Sequence, residues 1–180
     1  MDKSLARKLG KEYRKSLTKE LKSTLDESIL RTFLSLSDVK NSEKICVYLS
    51  IRDEVDTFRM IDELLNLGKQ LYAPVVIGDS MVAKSFSSLD ELKIGAFNIL
   101  EPQGHVCSVD QFDIVVVPMV AFNSNLARIG YGKGYYDRFL TEKVKKIGLA
   151  YNGQMFDFTP EVFDKPLDYI VTETGVIRCE

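Results

Sequence analysis

The chain has 180 residues, with 24 Lys and Arg against 26 Asp and Glu, one His and three Cys. That size suits one domain with a real hydrophobic core, and a formal charge of −2 argues against a dedicated nucleic-acid binder. The lone His105 excludes a two-His zinc site, and its place in a Gly-flanked loop marks a surface residue rather than the base of a Ser-His or Cys-His pair.

The first 22 residues hold eight basic and three acidic side chains, a net +5, so the remainder carries −7. These cations read as a solvated helix face, or as one or two groups that reach a polyanion. The segment has no apolar signal core, and no apolar run in the chain is long enough for a transmembrane helix. Cys46, Cys107 and Cys179 are odd in number without CxxC spacing and read as free thiols in a reducing, cytoplasmic setting. No membrane, nucleic-acid or protein partner is expected.

Leu5, Leu9, Tyr13 and Leu17, followed by Leu21, Leu25, Ile29 and Phe33, recur every four residues and predict helix. A strict period of four drifts around a helix, so Thr18 is expected as an N-cap that restarts the count and makes two helices. Residues 44–49 read as a buried strand. Residues 57–67 read as a helix capped by Asp56 or Thr57 and stopped by Gly68. Residues 70–76 read as a strand ended by Pro74, and 82–86 as a short outer strand. Residues 87–110 are rich in turn signals. Residues 112–117, FDIVVV, give the clearest buried strand; 134–142 read as helix, and 146–151 and 168–172 as strands. Short β-branched runs alternating with helices predict an α/β fold. The expected architecture is a single three-layer, Rossmann-like domain over 1–180, its sheet mostly parallel with helices on both faces. Ligands of such sheets lie beyond the carboxyl ends of the strands at a switch in strand order, so the segments after Leu49, Val117 and Tyr151 are where chemistry is expected.

The segment after FDIVVV carries Arg128-Ile129-Gly130-Tyr131-Gly132-Lys133-Gly134-Tyr135-Tyr136-Asp137. Alternating glycines let the backbone turn tightly and present N–H groups to an anion. The loop runs into a helix N-terminus, Arg128 and Lys133 add a fork and a point charge, and Asp137 can hold Mg²⁺. These are parts for cradling a triphosphate. The pattern is neither a Walker A loop nor a dinucleotide fingerprint, since Gly134 follows Lys133 and Tyr135 stands where the fingerprint needs glycine. A tight strand-to-helix turn with solvated cations is the competing account. After the first strand, Arg52, Asp53, Glu54 and Asp56 cluster. Asp56 reads as a helix cap, Glu54 can accept a pair of N–H donors from a heterocycle, and Leu49 can wall that site.

Residues 128–137 with Arg138 and Phe139 closely resemble the signature of the 5-formyltetrahydrofolate cyclo-ligase family. The resemblance covers most of the chain: Lys3 and Arg7, the YLS…DEVDT block at 48–57, Gly68-Lys69, FDIVVVP, Ala121-Phe122, Asp164…Asp168 and VTETGVI. It departs at Ala127, where glycine or a polar residue is common. The resemblance implies ATP- and Mg²⁺-dependent conversion of 5-formyltetrahydrofolate to 5,10-methenyltetrahydrofolate with release of ADP and phosphate. Activation would be by phosphorylation of the formyl oxygen, and ring closure by N10. By position it implies Lys3, Arg7 and residues 128–136 as the ATP site, with Arg128 and Lys133 catalytic. Leu49, Glu54 and residues 131–135 would hold folate, and Asp137 and Asp164 the metal. Tyr151 is a candidate stacking wall or a core residue. Two other classes stay open: a folate or nucleotide binder without turnover, and a sugar-phosphate isomerase-like enzyme that would need an acid/base pair.

Overall fold

The run Ile-Val-Val-Val at 114–117 is apolar without alternation, as a strand covered on both faces must be. In the computed structural model, which describes residues 1–178, it lies at the centre of the sheet. Cys179 falls outside the described residues, and Cys46 and Cys107 are free and buried. Among the described residues, eight strands form the main sheet. They are β1 (Lys44–Val47), β2 (Gln70–Ile77), β3 (Ser80–Phe86), β4 (Val106–Cys107), β5 (Ile114–Pro118), β6 (Lys145–Leu149), β7 (Tyr169–Thr172) and β8 (Gly175–Arg178). Their order is β8-β7-β6-β5-β1-β2-β3-β4. The run from β7 to β2 pairs in parallel, while β8, β3 and β4 join through antiparallel ladders. The chain leaves β1 toward β2 and returns to β5 on its other side. The order therefore switches at β1/β5, and a crevice is expected beyond their carboxyl ends.

The two outer layers are unequal. One sheet face packs on α2 (Lys19–Ser35), α3 (Ser37–Asn41) and α4 (Phe58–Asn66) through Ile29, Phe33, Val39, Met60, Ile61 and Leu64. The other is covered by α5 (Tyr135–Phe139) and mostly irregular chain, with Met119, Phe122, Leu126, Leu140, Val144 and Leu167 in the core. The mostly parallel α/β sheet expected from the sequence is present. The helix read over 134–142 shrinks to five residues. Leu140 leaves helical geometry and buries its side chain against the sheet.

The two N-terminal helices form as expected. α1 (Lys3–Ser16) stops before Thr18, whose side chain accepts from the Leu21 N–H at 3.2 Å and starts α2. Gly68, at φ +75°, ends α4, and at its start Asp56 accepts from the Phe58 and Arg59 amides. Thr57 instead donates to the Tyr48 carbonyl and accepts from the Ser50 amide, tying the loop after β1 to the start of α4.

One expectation fails for a physical reason, and two features go beyond what the sequence showed. Pro74 does not end its strand: β1 pairs with β2 only as far as Tyr72, so at Pro74 the strand has β3 as its one neighbour, and a missing N–H is tolerated on an open side. The outer strand at 82–86 is covered in turn by β4, a two-residue strand too short to read from sequence. The buried stripe of α1 is not Leu5, Leu9, Tyr13 and Leu17 but Ala6, Gly10 and Arg14, and Leu5 is 43% exposed. α1 packs partly on loop backbone and partly on apolar side chains: Tyr13 lies against the helix-covered core, and Ala6 sits with Ala121, Ala127, Ile129 and Phe158. A Cβ on Gly10 would stand 2.1 Å from the Val120 carbonyl oxygen, so only glycine allows that approach.

Candidate active site

The crevice at the switch point is built from three pieces: the loop after β1, the hairpin and glycine loop after β5, and α1 laid across them. The chain turns back after β5, pairing Ala121–Phe122 with Arg128–Ile129. Ile129 is thereby buried beside Ala6, Ala121, Ala127 and Phe158. The glycine loop that follows faces α1, where the Arg7 Nε donates to the Gly130 carbonyl at 3.0 Å. Gly132 and Gly134 have φ of +96° and +68°, which only glycine adopts without strain. A side chain at Gly132 would also meet the Arg7 guanidinium. Lys133 projects from the loop tip into solvent. α5 is too short for its dipole to contribute much, so the anion-attracting charge of this side rests on Arg7 and Lys133 with the loop amides.

Arg128 is not a solvated fork. It is buried, its Nη2 donates to Asp137 Oδ1 at 2.6 Å, and its guanidinium lies 5.7 Å from the centre of the Tyr136 ring. Its Nε is buried with no partner among the described residues. Burial is the largest influence on this guanidinium and brings it below its usual value, against the pull of Asp137, Tyr136 and Asp164. Asp164 accepts an ion pair from Lys3 and the Glu161 amide, and Lys3 also meets Glu161 at 3.3 Å. Asp137 and Asp164 are therefore each engaged by a cation. Among the described residues no three His, Cys, Asp or Glu side chains gather where they could hold a metal ion.

On the other side of the crevice a buried carboxylate and a buried guanidinium are joined through Tyr131, which is itself 40% exposed, and the Arg14 Nε has no partner among the described residues. Glu54 is 5% exposed. Its Oε2 accepts from the Ile51 amide at 2.9 Å, and its Oε1 accepts from the Tyr131 hydroxyl at 3.0 Å. Burial pushes its carboxyl up, while Ile51, Tyr131 and Arg14 pull the other way. The Tyr131 hydroxyl, pushed up to about 12 by burial and then by Glu54, stays protonated and can donate. It in turn accepts from Arg14 Nη2 at 2.9 Å. Arg14, only 3% exposed, also donates to the Met119 carbonyl and pairs with Asp53 at 3.0 Å. Burial works against its charge, but Tyr131, Asp53 and Glu54 outweigh it and hold the guanidinium above its usual value.

The fold thus brings together Arg7, Glu54, Gly130, Tyr131, Gly132, Lys133 and Gly134. Tyr135 turns toward the β2–β3 connection, where its hydroxyl reaches the Gly78 carbonyl at 3.5 Å. The Tyr136 hydroxyl is pushed well up by burial. Leu49 is part of the helix-covered core. Tyr151 is fully buried and donates to Asp26 at 2.6 Å, so it is a core residue. His105 is exposed and bonded to Ser85. Arg14 escaped the sequence reading, which left it among solvated cations, and its partner Asp53 was named there only as one of the charges that cluster after the first strand. The available signal was spacing: Arg14 continues the small-residue stripe of Ala6 and Gly10 at intervals of four.

The comparisons agree with this geometry. The model of the 5-formyltetrahydrofolate cyclo-ligase family matches residues 1–173. The 5-formyltetrahydrofolate cyclo-ligase of Mycoplasma pneumoniae is 33% identical, covering 96% of this chain and 99% of the relative. That of Escherichia coli K12 is 28% identical over 92% and 97%. The solved structure of Aquifex aeolicus 5,10-methenyltetrahydrofolate synthetase superposes with a TM-score of 0.89 at 38% identity, covering 99% of this chain and 93% of that one. The Mycoplasma pneumoniae synthetase gives 0.81 at 29% identity over 96% and 99%. With its glycine loop, buried carboxylate and the parallel strands of its sheet in the matched span, this chain belongs to the 5-formyltetrahydrofolate cyclo-ligase family.

Proposed function

We propose that this chain, working as one domain, converts 5-formyltetrahydrofolate and Mg·ATP to 5,10-methenyltetrahydrofolate, ADP and phosphate. The observation that carries the proposal is that one glycine loop touches both halves of the crevice. Gly130 holds Arg7 on one side, and Tyr131 holds the buried carboxylate of Glu54 on the other.

Glu54 accepts N–H donors of the pterin, and Tyr131, Gly132 and the loop up to Tyr135 line the folate, with Leu49 backing Glu54 from the core. Lys3, Arg7, the loop amides of 129–136 and Lys133 hold the triphosphate. The formyl oxygen, a weak nucleophile, attacks the γ-phosphorus as ADP leaves. N10 then attacks the activated carbon and loses its proton, and phosphate departs with the former formyl oxygen. The protein supplies no covalent nucleophile; alignment and charge neutralisation carry the step. Lys133, exposed and without a carboxylate partner among the described residues, follows the γ-phosphate. Arg128 fixes Asp137 through Nη2 and turns its Nη1 toward Gly130.

Mg²⁺ arriving with ATP neutralises phosphate charge and needs only one or two protein carboxylates, which suits the arrangement. Asp137, with Oδ2 outside its bond to Arg128, is the first candidate, and Asp164 becomes the second once nucleotide draws Lys3 away.

The test is ATP- and Mg²⁺-dependent appearance of the methenyl chromophore from 5-formyltetrahydrofolate. Folded protein that binds folate without forming it would favour a binding module instead. Turnover of a sugar phosphate without ATP would favour the isomerase.

A further inference from the structure

The assignment of Glu54 and Tyr131 to folate leaves unexplained why a guanidinium is buried behind them. We infer that Arg14 is a positioning residue for the folate side: through the Tyr131 hydroxyl it fixes the Glu54 carboxylate in place for the pterin. This inference rests on the function proposed above.

Arg14 is placed for that role by four contacts. Its Nη1 donates to Met119 O, at the end of β5, at 3.3 Å. Its Nη2 meets Asp53 Oδ1 at 3.0 Å and Tyr131 Oη at 2.9 Å. Its guanidinium also lies 5.7 Å from the Tyr131 ring centre. Planar donors in a fixed fork can join three separate pieces of chain at once, where a flexible ammonium offers a point charge. Those pieces are α1, the loop after β1 and the glycine loop. A buried guanidinium committed to one hydroxyl also orders that hydroxyl: Tyr131 accepts from Arg14, so its proton is aimed at Glu54.

The electrostatic surroundings of Glu54 point the same way. From α1 it faces Arg14, from the glycine loop Tyr131, from its own loop Asp53, from the end of β1 Tyr48 and from α5 Tyr136. Of these, Arg14 is the only cation, and Lys11 stands farther out, over the Tyr131 ring at 5.5 Å. Burial raises the Glu54 carboxyl and Arg14 opposes that rise. Removing the charge raises it further, so the acid-side fall of activity must move to higher pH. Glu54 has to be ionised to accept two donors.

The experiment measures kinetic constants for 5-formyltetrahydrofolate and for ATP across pH in the full-length enzyme, Arg14→Gln and Arg14→Lys, with thermal melting as the check of folding. The expected result for Arg14→Gln is a folate KM raised about tenfold, an ATP KM unchanged within about twofold, and an acid limb of kcat/KM for folate displaced upward. Arg14→Lys, which keeps the charge and loses the fork, is expected to restore the acid limb and leave the folate KM raised. Wild-type folate KM and acid limb in Arg14→Gln would overturn the inference while the proposed function stands. Equal rises of both KM values would reduce Arg14 to a structural residue and overturn it as well. If Arg14→Gln does not fold, the decision passes to Arg14→Lys. There a folate KM raised at least about threefold against an unchanged ATP KM supports the inference, and wild-type values of both overturn it. A wild-type enzyme that forms no methenyl product would overturn the proposed function and this inference together.

Discussion

The two sides of the crevice are built on opposite plans. Glu54 and Arg14 are buried, and they are bonded to Tyr131 and Asp53 before any ligand arrives. Around Lys133 the cation stands in solvent, and Lys3 is held by Asp164 and Glu161, which a phosphate would have to replace. The difference fits the two proposed ligands. A pterin offers a fixed pattern of N–H donors, which a rigid carboxylate reads best because no ordering cost falls at binding. A triphosphate brings its own charge and metal, and moves its γ-phosphoryl during reaction. Flexible ammonium groups that follow charge suit it better than a fixed frame.

Four substitutions would break or sharpen that contrast. Lys133→Ala should have the largest effect, a fall in turnover on the order of 100-fold with the melting temperature unchanged, because its charge acts only on the reacting phosphoryl group. Steady-state kinetics with thermal melting reads both, and wild-type turnover would remove Lys133 from the mechanism. Gly10→Ala attacks the contrast from beneath. Its Cβ would collide with the Val120 carbonyl, so α1 must shift, costing about 2 kcal/mol of stability and raising both KM values. Denaturant unfolding measures the first and kinetics the second; a selective effect on one substrate would show that α1 serves one side alone. Glu54→Gln should raise the folate KM about tenfold and leave ATP alone, since one acceptor oxygen becomes a donor facing either the Ile51 amide or the Tyr131 hydroxyl. Equilibrium binding of 5-formyltetrahydrofolate checks it. Lys3→Ala should have the smallest effect, an ATP KM raised about threefold with folate binding unchanged, because its present partners are partly solvated carboxylates. A larger loss on folate than on ATP would dissolve the distinction between the two sides.

How much of this was legible beforehand differs from residue to residue. FDIVVV marks a central strand because its side chains are apolar on both faces. Thr18 marks a helix start because its hydroxyl satisfies an amide that the helix leaves open. The alternating glycines mark the loop because positive φ is a local demand, met at Gly132 and Gly134. Arg128 was visible as a site residue, but its burial against Asp137 was not. Side-chain chemistry identifies what can bind an anion, not whether neighbours have already taken it. Asp137 and Asp164, paired by charge on paper with a metal, each meet a cation first.

By itself, the sequence determined what depends on nearest neighbours along the chain: strands, caps, glycine turns and the family signature. Only the tertiary structure decided that Leu5 is exposed while Arg14 is buried, and that Tyr131 answers to Glu54 and Arg14 at once. α1 docks on carbonyl-bearing loop backbone, where a glycine permits contact and a guanidinium finds acceptors. Hydrophobic periodicity alone does not locate such a surface, because it records affinity for an apolar layer, and Gly10 and Arg14 in the buried stripe face backbone carbonyls instead.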